Sequence, residues 1–294
     1  MLTITLLHAI ATNLSSLEGK QIEIEKIVAV HGGSINKAYC LVTPGKKYFV
    51  KVNSLSRFPA MFEQEKGALS LLQSLSKLRI PEPLFNGSFE DEASLVMEYI
   101  EGTKAQANFW EEFGRGLAEI HQISSVNGFG LEQDNYIGSL HQRNGWKTNW
   151  IDFFIKNRLQ AQEKMAIDAG LIDLSLTNSM DKLYGKLKGI FPVENSSLLH
   201  GDLWSGNFMV GSNGEAVIMD PAVYYGNREM DIAMTHLFGG FNAKFYGAYQ
   251  EHFPLKENWE ERIEICNLYP LLVHVNLFGE SYAQRLKTIV NRFV

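Results

Sequence analysis

Apolar residues in the first hundred positions fall into short alternating or continuous runs, which is the pattern of β-strands. Three segments match it and are predicted as strands: residues 22–30, 37–43 and 48–52. Pro44-Gly45 favours a turn between the last two. An amphipathic helix is predicted ahead of these strands, a longer helix at residues 61–75, and one more strand at residues 94–100.

Beyond residue 100 the apolar positions recur every three or four residues, which is the spacing of a helix face. The first such helix carries four of them: Trp110, Phe113, Leu117 and Ile120. Further helices are predicted at residues 151–162, at 171–187, after residue 228 and, two or three in number, after residue 241. Residues 135–142 lack this spacing and are predicted to be a loop. The chain is therefore predicted to have a sheet-containing lobe at residues 1–100 and a mostly helical lobe at residues 101–294.

Two short apolar runs interrupt the helical half, at residues 208–210 and 216–219, and predict a β-hairpin. Asn213-Gly214 lies between them and favours a two-residue turn, because both central residues of that turn need positive φ. Such a hairpin would bring the residues before and after it into the same small volume.

Three polar residues flank this hairpin in an otherwise apolar segment: Asp202, Asn207 and Asp220. Phosphoryl transfer from ATP needs such a set, with one carboxylate to accept the hydroxyl proton and an Asn and an Asp to hold Mg²⁺ on the phosphates. Protein kinases use the same Asp-x₄-Asn spacing. The forms His-Gly-Asp and Asp-Pro-Ala resemble small-molecule kinases related to aminoglycoside and choline kinases. A hairpin with a solvated Asp and a capping Asn is the plainer interpretation, but the combined motifs favour chemistry.

The N-terminal half holds residues that could bind the nucleotide phosphates. Gly32-Gly33-Ser34 form a turn between two predicted strands, where backbone amides could approach phosphates because glycine lacks a Cβ. Lys51 could hold the α and β phosphates if a helix carboxylate positions it. Glu65 is the preferred partner, and Glu63 remains open. Taken singly, a Gly-Gly turn is only a turn and a strand lysine usually faces solvent.

The last predicted strand of this half leads into a looser Glu101-Gly102-Thr103 segment. In a kinase this is the hinge, where the backbone groups of Glu98 and Ile100 would pair with adenine. An ordinary buried strand is the alternative interpretation. The place of the segment, between the Lys51 strand and the helical region, favours the hinge.

Composition narrows the class of protein. A chain of 294 residues with 45% hydrophobic and 20% charged residues is typical of a globular protein, and no apolar run reaches the ~20 residues that cross a bilayer. A net charge of −6 argues against non-specific nucleic-acid binding. Cys40 and Cys266 are too few for a disulfide framework and fit a reducing, cytoplasmic compartment. We expect no nucleic-acid or membrane partner, and a monomer or weak dimer.

Longer motifs resemble one family. The chain reads His-Gly-Asp-Leu-Trp-Ser-Gly-Asn at residues 200–207, Asp-Pro-Ala at 220–222, Tyr-Gly-x-Arg-Glu-x-Asp-Ile-Ala at 225–233 and Phe-Gly-Gly-Phe at 238–241. Together with Met-Phe-Glu-Gln-Glu at 61–65 and the region 135–154, these motifs resemble the fructosamine kinase family from about residue 20 to the C-terminus. Leu-Trp after His-Gly-Asp separates this family from general aminoglycoside-kinase relatives.

The resemblance implies a protein-kinase-like, bilobal α+β fold and a ketosamine 3-kinase. Such an enzyme phosphorylates the sugar 3-hydroxyl of fructosamines or ribulosamines from ATP, and the unstable phosphate then leaves to restore the free amine. The implied roles are a catalytic base, Asp202; Mg²⁺ ligands, Asn207 and Asp220; phosphate-holding residues, Lys51 and Glu65; and a sugar-covering indole, Trp204. His200 and Asp231 are implied to support the catalytic residues without binding the substrate, with Asp231 forming hydrogen bonds to the catalytic-loop backbone.

One departure from the family pattern lies in the phosphate turn. Many relatives have Gly-Gly-Cys-Ile there, whereas this chain has Ser34, so a redox switch based on that cysteine is not expected. A kinase of another small hydroxylated substrate, such as an aminoglycoside or an amino alcohol, is the alternative function. A catalytically dead kinase-like binding module comes third, because every residue that the chemistry needs is present. The sequence leaves open which ketosamine sugar is used and whether the substrate is free or protein-bound.

Overall fold

The computed structural model describes residues 2–31 and 35–294 of the chain. Its N-terminal half is built on one five-stranded antiparallel sheet with the spatial order β1-β2-β3-β5-β4. The strands are β1 (Lys26–Val30), β2 (Lys37–Thr43), β3 (Lys46–Ser54), β4 (Pro83–Phe89) and β5 (Glu92–Glu98). The predicted phosphate turn, Gly32-Gly33-Ser34, lies outside the described residues.

Two helices cover opposite faces of this sheet. α1 (Ile4–Glu18) packs on one face, and α2 (Met61–Leu75), which joins β3 to β4, packs on the other. Side chains alternate between the two faces of a strand. In β5 the side chain of Val96 accordingly lies in the core beneath α1, whereas Leu95 and Met97 lie in the core beneath α2.

The chain after residue 100 is mostly helical. The helices are α3 (Phe109–His121), α4 (Trp150–Phe153), α5 (Gln160–Asp168), α6 (Leu174–Ile190), α7 (Glu229–Leu237), α8 (Ala243–His252), α9 (Trp259–Cys266), α10 (Leu268–Phe278) and α11 (Ala283–Phe293). A π-helical turn, Phe154–Leu159, joins α4 to α5, and a 3₁₀ turn, Glu280–Tyr282, precedes α11. Within residues 2–31 and 35–294, no helix combines the length and apolar character needed to cross a bilayer.

Three short antiparallel strand pairs lie among these helices. β6 (Asn135–Ile137) pairs with β7 (Leu140–Gln142), β8 (Ser197–Leu199) pairs with β11 (Tyr224–Gly226), and β9 (Phe208–Val210) pairs with β10 (Ala216–Ile218). One apolar core joins these pairs and α3 to the N-terminal half: it includes Leu69 and Leu95 together with Phe113 and Ile218. Because this core crosses residue 100, the division of the chain into lobes at that position stays a prediction.

Several predicted elements are confirmed and others are wrong. The strand at residues 37–43 and the helix at residues 61–75 are confirmed. The predicted loop at residues 135–142 is wrong, because β6 and β7 form a hairpin there around Gly138-Ser139. The edge strand β4 was not predicted, because Asn86, Gly87 and Ser88 interrupt its apolar pattern and it begins at Pro83. In the described chain four α-helices, α8 to α11, follow residue 241, where two or three were predicted.

The hairpin of β9 and β10 is confirmed, but its predicted two-residue turn is wrong. Gly211 N–H donates to Glu215 O at 2.8 Å, so pairing continues one step past the strands and leaves a three-residue loop. Gly214 has φ +81°, whereas Asn213 does not have positive φ. Three-residue hairpin loops commonly end in one left-handed residue, and Gly214 supplies it at low steric cost.

Gly114 lies where α3 crosses α8, and a Cβ on it would be 2.2 Å from Phe245 O. We expect Gly114→Ala to lower the free energy of unfolding by ~1–3 kcal/mol, because the helices would have to separate. Gly185→Ala in α6 is the matched control, since nothing lies within 4 Å of its Cβ position. That control should raise stability by ~0.5–1 kcal/mol. Urea unfolding of both variants checks this, and a stable Gly114→Ala protein would contradict the close helix crossing.

Candidate active site

The loop between β8 and β9 holds two of the predicted site residues side by side. Asn207 Nδ2 donates to the backbone oxygen of Asp202 at 2.8 Å and to Asp202 Oδ2 at 2.9 Å. The Asn207 N–H donates to Trp204 O at 2.9 Å and closes the loop on itself. The Asp202 carboxylate is therefore held in one orientation by the Asn207 amide.

A buried carboxylate at the start of α7, Asp231, fixes the backbone of this loop. Its Oδ2 accepts a hydrogen bond from His200 N–H at 2.7 Å, and its Oδ1 accepts one from Gly201 N–H at 2.9 Å. His121 Nε2 lies 3.2 Å from Asp231 Oδ2. Burial pushes the pKa of Asp231 upward, but its His121, His200 and Gly201 neighbours outweigh burial and hold that pKa below its usual value.

Gly201 allows the loop to touch the segment that follows Asp220. Its φ is +84°, and a Cβ there would be 2.1 Å from Ala222 O. The Ala222 N–H donates to His200 O at 2.9 Å. The two chain segments thus meet backbone to backbone, which only glycine permits at this position.

The imidazole of His200 connects the same two segments through its side chain. His200 Nδ1 accepts a hydrogen bond from Asp202 N–H at 3.3 Å, and Nε2 lies 3.0 Å from Met219 O. This arrangement places the proton on Nε2, which donates to the carbonyl. Burial lowers the pKa of His200 and keeps the ring neutral. Because Met219 N–H also donates to Asn207 O at 3.0 Å, the residue before Asp220 is fixed against the loop.

Lys51 is the residue through which the N-terminal sheet contacts this loop region. Its Nζ lies 2.5 Å from Glu65 Oε1 and 2.6 Å from Asp220 Oδ1. Burial lowers the pKa of Lys51, but the two carboxylates outweigh burial, so the pKa is raised and the ammonium stays charged. Glu63 is exposed on α2, so the geometry favours Glu65 as the partner.

The backbone of Asp220 is strained. Its φ is +57°, a region that non-glycine residues other than Asn and Asp seldom adopt. Such strain costs ~1–3 kcal/mol and persists only where the surroundings impose it. Hydrogen bonds fix the neighbouring Met219, and the Asp220 side chain reaches Lys51 while remaining 46% exposed.

The electrostatic surroundings of Asp202 differ from those of an ordinary aspartate. Burial raises its pKa to about 7, against the opposing effect of the Asn207 hydrogen bond, and the charges of Asp220 and Asp231 raise it further. A carboxylate with a pKa near neutrality is better suited to accept a proton than one with the usual value.

The predicted hinge residues lie at the end of β5. Glu98 pairs with Tyr48 of β3, and its N–H donates to Glu82 O at 2.9 Å. The Glu98 carboxylate forms an ion pair with Arg79. The backbone carbonyl of Glu98 and the N–H of Ile100, which follows the strand, are the groups that an adenine could use.

Trp204 lies on the loop two residues after Asp202. Its indole is partly buried against the helical core and meets the Phe238 ring edge-on at 5.7 Å. A Cβ on Gly206 would lie 2.4 Å from the indole, so the ring packs over that glycine. The side chain is therefore anchored beside the candidate base and keeps part of its surface open.

Similarity to known proteins extends over nearly the whole chain. Residues 6–294 match the fructosamine kinase family profile. The chain belongs to the fructosamine kinase family. A probable ketoamine kinase of Synechocystis sp. is 37% identical over 285 residues, covering 97% of this chain and 96% of that protein. A chloroplastic protein-ribulosamine 3-kinase of Arabidopsis thaliana is 38% identical over 281 residues, covering 94% of this chain and 85% of that protein.

This member of the fructosamine kinase family shares its fold with solved kinases of two groups. A candidate fructosamine-3-kinase from Haemophilus somnus 129PT superposes with a TM-score of 0.88 at 28% identity, covering 97% of this chain and 96% of that chain. The aminoglycoside phosphotransferase APH(4)-Ia superposes with a TM-score of 0.61 at 18% identity, covering 98% and 99%, a likeness that shows the fold alone. The predicted α+β, protein-kinase-like fold is confirmed, and family membership makes the protein an ATP-using phosphotransferase.

Some residues that hold the fructosamine kinase site together were not recognised in the sequence. His121 ends α3, and its ring contacts both Asp231 and the Tyr249 hydroxyl, the latter at 2.8 Å. Gln142 donates from Nε2 to Ala222 O at 3.1 Å. A sequence signal does exist for Gln142: Gly138-Ser139 favours a hairpin turn, which places Gln142 on the second strand of that hairpin. No spacing rule links His121 to a residue 110 positions away.

The oxygen donors of the site suit Mg²⁺. Within residues 2–31 and 35–294, no three His, Cys, Asp or Glu side chains form a group that could hold a metal ion unaided. Mg²⁺ in kinases is commonly held by one or two protein oxygens together with substrate phosphates and water. Asn207 turns its Nδ2 toward Asp202, so its Oδ1 is the side-chain atom left to coordinate, and Asp220 is half exposed. Asn207 and Asp220 therefore fit the metal of a kinase.

Asp231→Asn tests the hydrogen bonds that fix the loop. An asparagine offers one oxygen to the His200 and Gly201 N–H groups, and its own N–H₂ would face the other donor. We expect the free energy of unfolding to fall by ~1.5–3 kcal/mol, the contribution of one hydrogen bond to a charged group. Urea unfolding measures it, with Asp181→Asn on the exposed surface of α6 as control, expected within ~0.5 kcal/mol of wild type. Equal stabilities for the two variants would contradict the role given to Asp231.

Proposed function

We propose that the protein phosphorylates the 3-hydroxyl of ketosamines from ATP and thereby starts their conversion back to free amines. The observation that supports this most is that Asn207, hydrogen-bonded to Asp202, also accepts from the N–H of the residue before Asp220, while Asp220 pairs with Lys51. Together with membership of the fructosamine kinase family, this geometry favours a sugar hydroxyl as acceptor. The proposal covers ketosamines as a class, whichever sugar and amine they are formed from.

Asp202 acts as the base in this proposal. Its Oδ2 is oriented by Asn207 Nδ2, and its pKa of about 7 lets it accept the hydroxyl proton as the oxygen attacks the γ-phosphorus. The bond that forms joins the sugar oxygen to phosphorus, and the bond that breaks joins phosphorus to the β,γ-bridging oxygen, so ADP leaves. His200 and Asp231 hold the loop backbone while the charges shift.

Mg²⁺ would be held by Asn207 Oδ1 and Asp220 together with the nucleotide phosphates. Its contribution when bound is to offset negative charge on the β and γ phosphates. The chain's own contribution is to set the two ligands: Asn207 through its bond to Asp202, and Asp220 through Met219 and Lys51. Both ligands are hard oxygen donors, which Mg²⁺ prefers.

Lys51 and Glu65 are proposed to hold the α and β phosphates. Lys51 is buried and charged, so its ammonium needs carboxylates or phosphates as partners. Glu65 faces it from α2 and keeps it oriented. The Glu98 carbonyl and the Ile100 N–H are proposed to receive adenine, and Gly32-Gly33-Ser34 to cover the phosphates.

A ketosamine suits the residues around Asp202, and its phosphorylated product can release the amine without a second enzymatic step. Trp204 offers an indole face to a sugar, and the phosphate is placed on carbon 3, next to the ketone carbon. Enolisation toward carbon 1 gives an enaminol, from which inorganic phosphate can leave as the nitrogen lone pair moves in. Water then adds to the resulting imine and releases the amine. These later steps need no enzyme, so the kinase site alone suffices. A cytoplasmic location and a monomeric or weakly dimeric state stay predictions.

The substrate test uses the purified chain with ATP and Mg²⁺ and four acceptors in parallel: lysine ketosamines derived from ribose and from glucose, an aminoglycoside, and choline. We expect a phosphorylated ketosamine, followed by slow release of phosphate and free lysine, all followed by mass spectrometry. Unmodified lysine is the control and should give no product. Phosphorylation of the aminoglycoside or choline, with neither ketosamine used, would replace this proposal with the alternative kinase function.

Glu65→Gln tests the role given to Lys51 and its partner, with Glu63→Gln as a matched control two residues away on the same helix. Glu65→Gln should raise the KM for ATP about tenfold or more, because a hydrogen bond to a charged group contributes ~1.5–3 kcal/mol. Glu63 is exposed, so Glu63→Gln should leave the KM unchanged. Steady-state kinetics at varied ATP concentration measures both. Similar KM values in the two variants would remove Glu65 from nucleotide binding.

A further inference from the structure

The hairpin of β6 and β7 has no part in the proposed chemistry, although its sequence lies in one of the regions that resemble the family. Its base is buried, with Asn135 and Gln142 opposite each other across the two strands. Asn135 Nδ2 donates to Val223 O at 2.9 Å, and Gln142 Nε2 donates to Ala222 O at 3.1 Å. These carbonyls follow directly after Asp220-Pro221. The base of the hairpin therefore holds the chain on the C-terminal side of a proposed metal ligand.

Buried polar side chains make this base rigid. Asn135 Oδ1 accepts from Gln142 Nε2 and from Asn144 Nδ2, both at 2.8 Å. Asn144 Oδ1 accepts from the buried Arg158 Nη2 at 2.8 Å, and Gln142 Oε1 accepts from Tyr269 OH at 2.7 Å. A buried network whose members satisfy one another has one favoured arrangement. The base of the hairpin is thus fixed to the helical half of the protein.

The other end of the hairpin contacts the N-terminal half. Tyr136 OH donates to Pro59 O at 3.0 Å, and its ring meets Phe58 edge-on at 6.5 Å. A Cβ on Gly138 in the hairpin turn would lie 3.1 Å from Ile35 Cδ1. Ile35 directly follows the proposed phosphate turn. The hairpin therefore touches the segments next to two parts of the proposed nucleotide site.

Pro59 lies immediately before α2, whose N-terminus lacks a side-chain cap. Its capping residue, Ala60, has φ +58° and makes no side-chain hydrogen bond. Helices usually begin with a capping Ser, Thr, Asp or Asn, which satisfies the first N–H groups. The segment that enters α2 is held by a backbone bond from Met61 N–H to Phe58 O at 3.3 Å and, from outside the helix, by the Tyr136 hydroxyl at the Pro59 carbonyl. Glu65 lies on the second turn of that helix, within reach of Lys51.

We propose that the β6–β7 hairpin is a positioning element that sets Glu65 and Asp220, the two carboxylate partners of Lys51, at a fixed separation. Tyr136 is its contact to the α2 side, and Asn135 and Gln142 are its contacts to the Asp220 side. The inference rests on the proposed role of Lys51 in nucleotide binding. It extends that role to residues outside the set proposed to hold the nucleotide, the metal and the acceptor.

A purely structural hairpin would stabilise the helical half without changing the affinity for ATP. The variant Tyr136→Phe distinguishes such a hairpin from one that positions the partners of Lys51. Phenylalanine keeps the ring contact with Phe58 and removes only the hydroxyl. We expect the Kd for ATP with Mg²⁺ and the KM for ATP to rise about two- to tenfold, the loss of one neutral hydrogen bond. The KM for the ketosamine and the thermal midpoint should stay near the wild-type values.

Tyr184→Phe is the matched control, because its hydroxyl donates to Glu163 Oε2 at 2.5 Å within the helical half, between α6 and α5. That variant should leave ATP binding unchanged. A change in thermal midpoint for Tyr136→Phe with no change in ATP affinity would overturn the inference. So would equal effects of Tyr136→Phe and Tyr184→Phe on the Kd for ATP.

The double variant Tyr136→Phe with Glu65→Gln shows whether Tyr136 acts through α2. If it does, the combined effect on the Kd for ATP is smaller than the product of the single effects. Once the carboxylate of residue 65 has been removed, a shift in the position of that residue costs little more. Independent, multiplying effects would contradict the route through Glu65. Calorimetric titration of the whole chain with ATP and Mg²⁺ needs no ketosamine. A protein that binds ATP but phosphorylates no ketosamine would therefore defeat the proposed function while leaving this test readable.

Discussion

Asp231 is a buried carboxylate on which the geometry of the whole site depends. Its two oxygens accept the N–H groups of His200 and Gly201, so the loop that carries Asp202 has one backbone path. A buried charge is tolerated only when hydrogen bonds satisfy it, and the same bonds that stabilise this charge define the loop. His200 then transfers the constraint to Met219, and Gly201 lets the chain after Asp220 come into backbone contact.

Lys51 connects this rigid region to the N-terminal half. One ammonium contacts a carboxylate on α2 and another after β10, so sheet, helix and loop are linked at a single charged atom. Burial makes the charge costly without partners, which favours a state in which both halves are close together. The apolar core shared by α2, β5 and α3 holds the halves in the same relation.

The sequence predicted which residues meet at the candidate site better than it predicted the residues that support them. Asp202, Asn207 and Asp220 were recognisable because fixed spacings and a hairpin bring them together, and Lys51 because its strand position and the α2 carboxylates matched a kinase. The turn at Asn213-Gly214 was predicted one residue too short, since pairing of Gly211 with Glu215 depends on tertiary fit. His121, Asn135 and Gln142 form long-range hydrogen bonds, and neither periodicity nor local turn rules report such contacts. The hairpin at Gly138-Ser139 does have a local signal, a Gly-Ser turn, but its strands are too short to show a clear alternation.

In the proposed mechanism, Asp202 accepts the proton of a ketosamine hydroxyl. The most direct measurement compares single-turnover phosphoryl transfer by the wild type and Asp202→Asn, with ATP affinity measured on the same samples. Asparagine preserves the shape of the side chain and cannot act as a carboxylate base. We expect a transfer rate ~10²–10⁴-fold lower in the variant, with ATP affinity essentially unchanged. A near-normal transfer rate in the variant would contradict this mechanism.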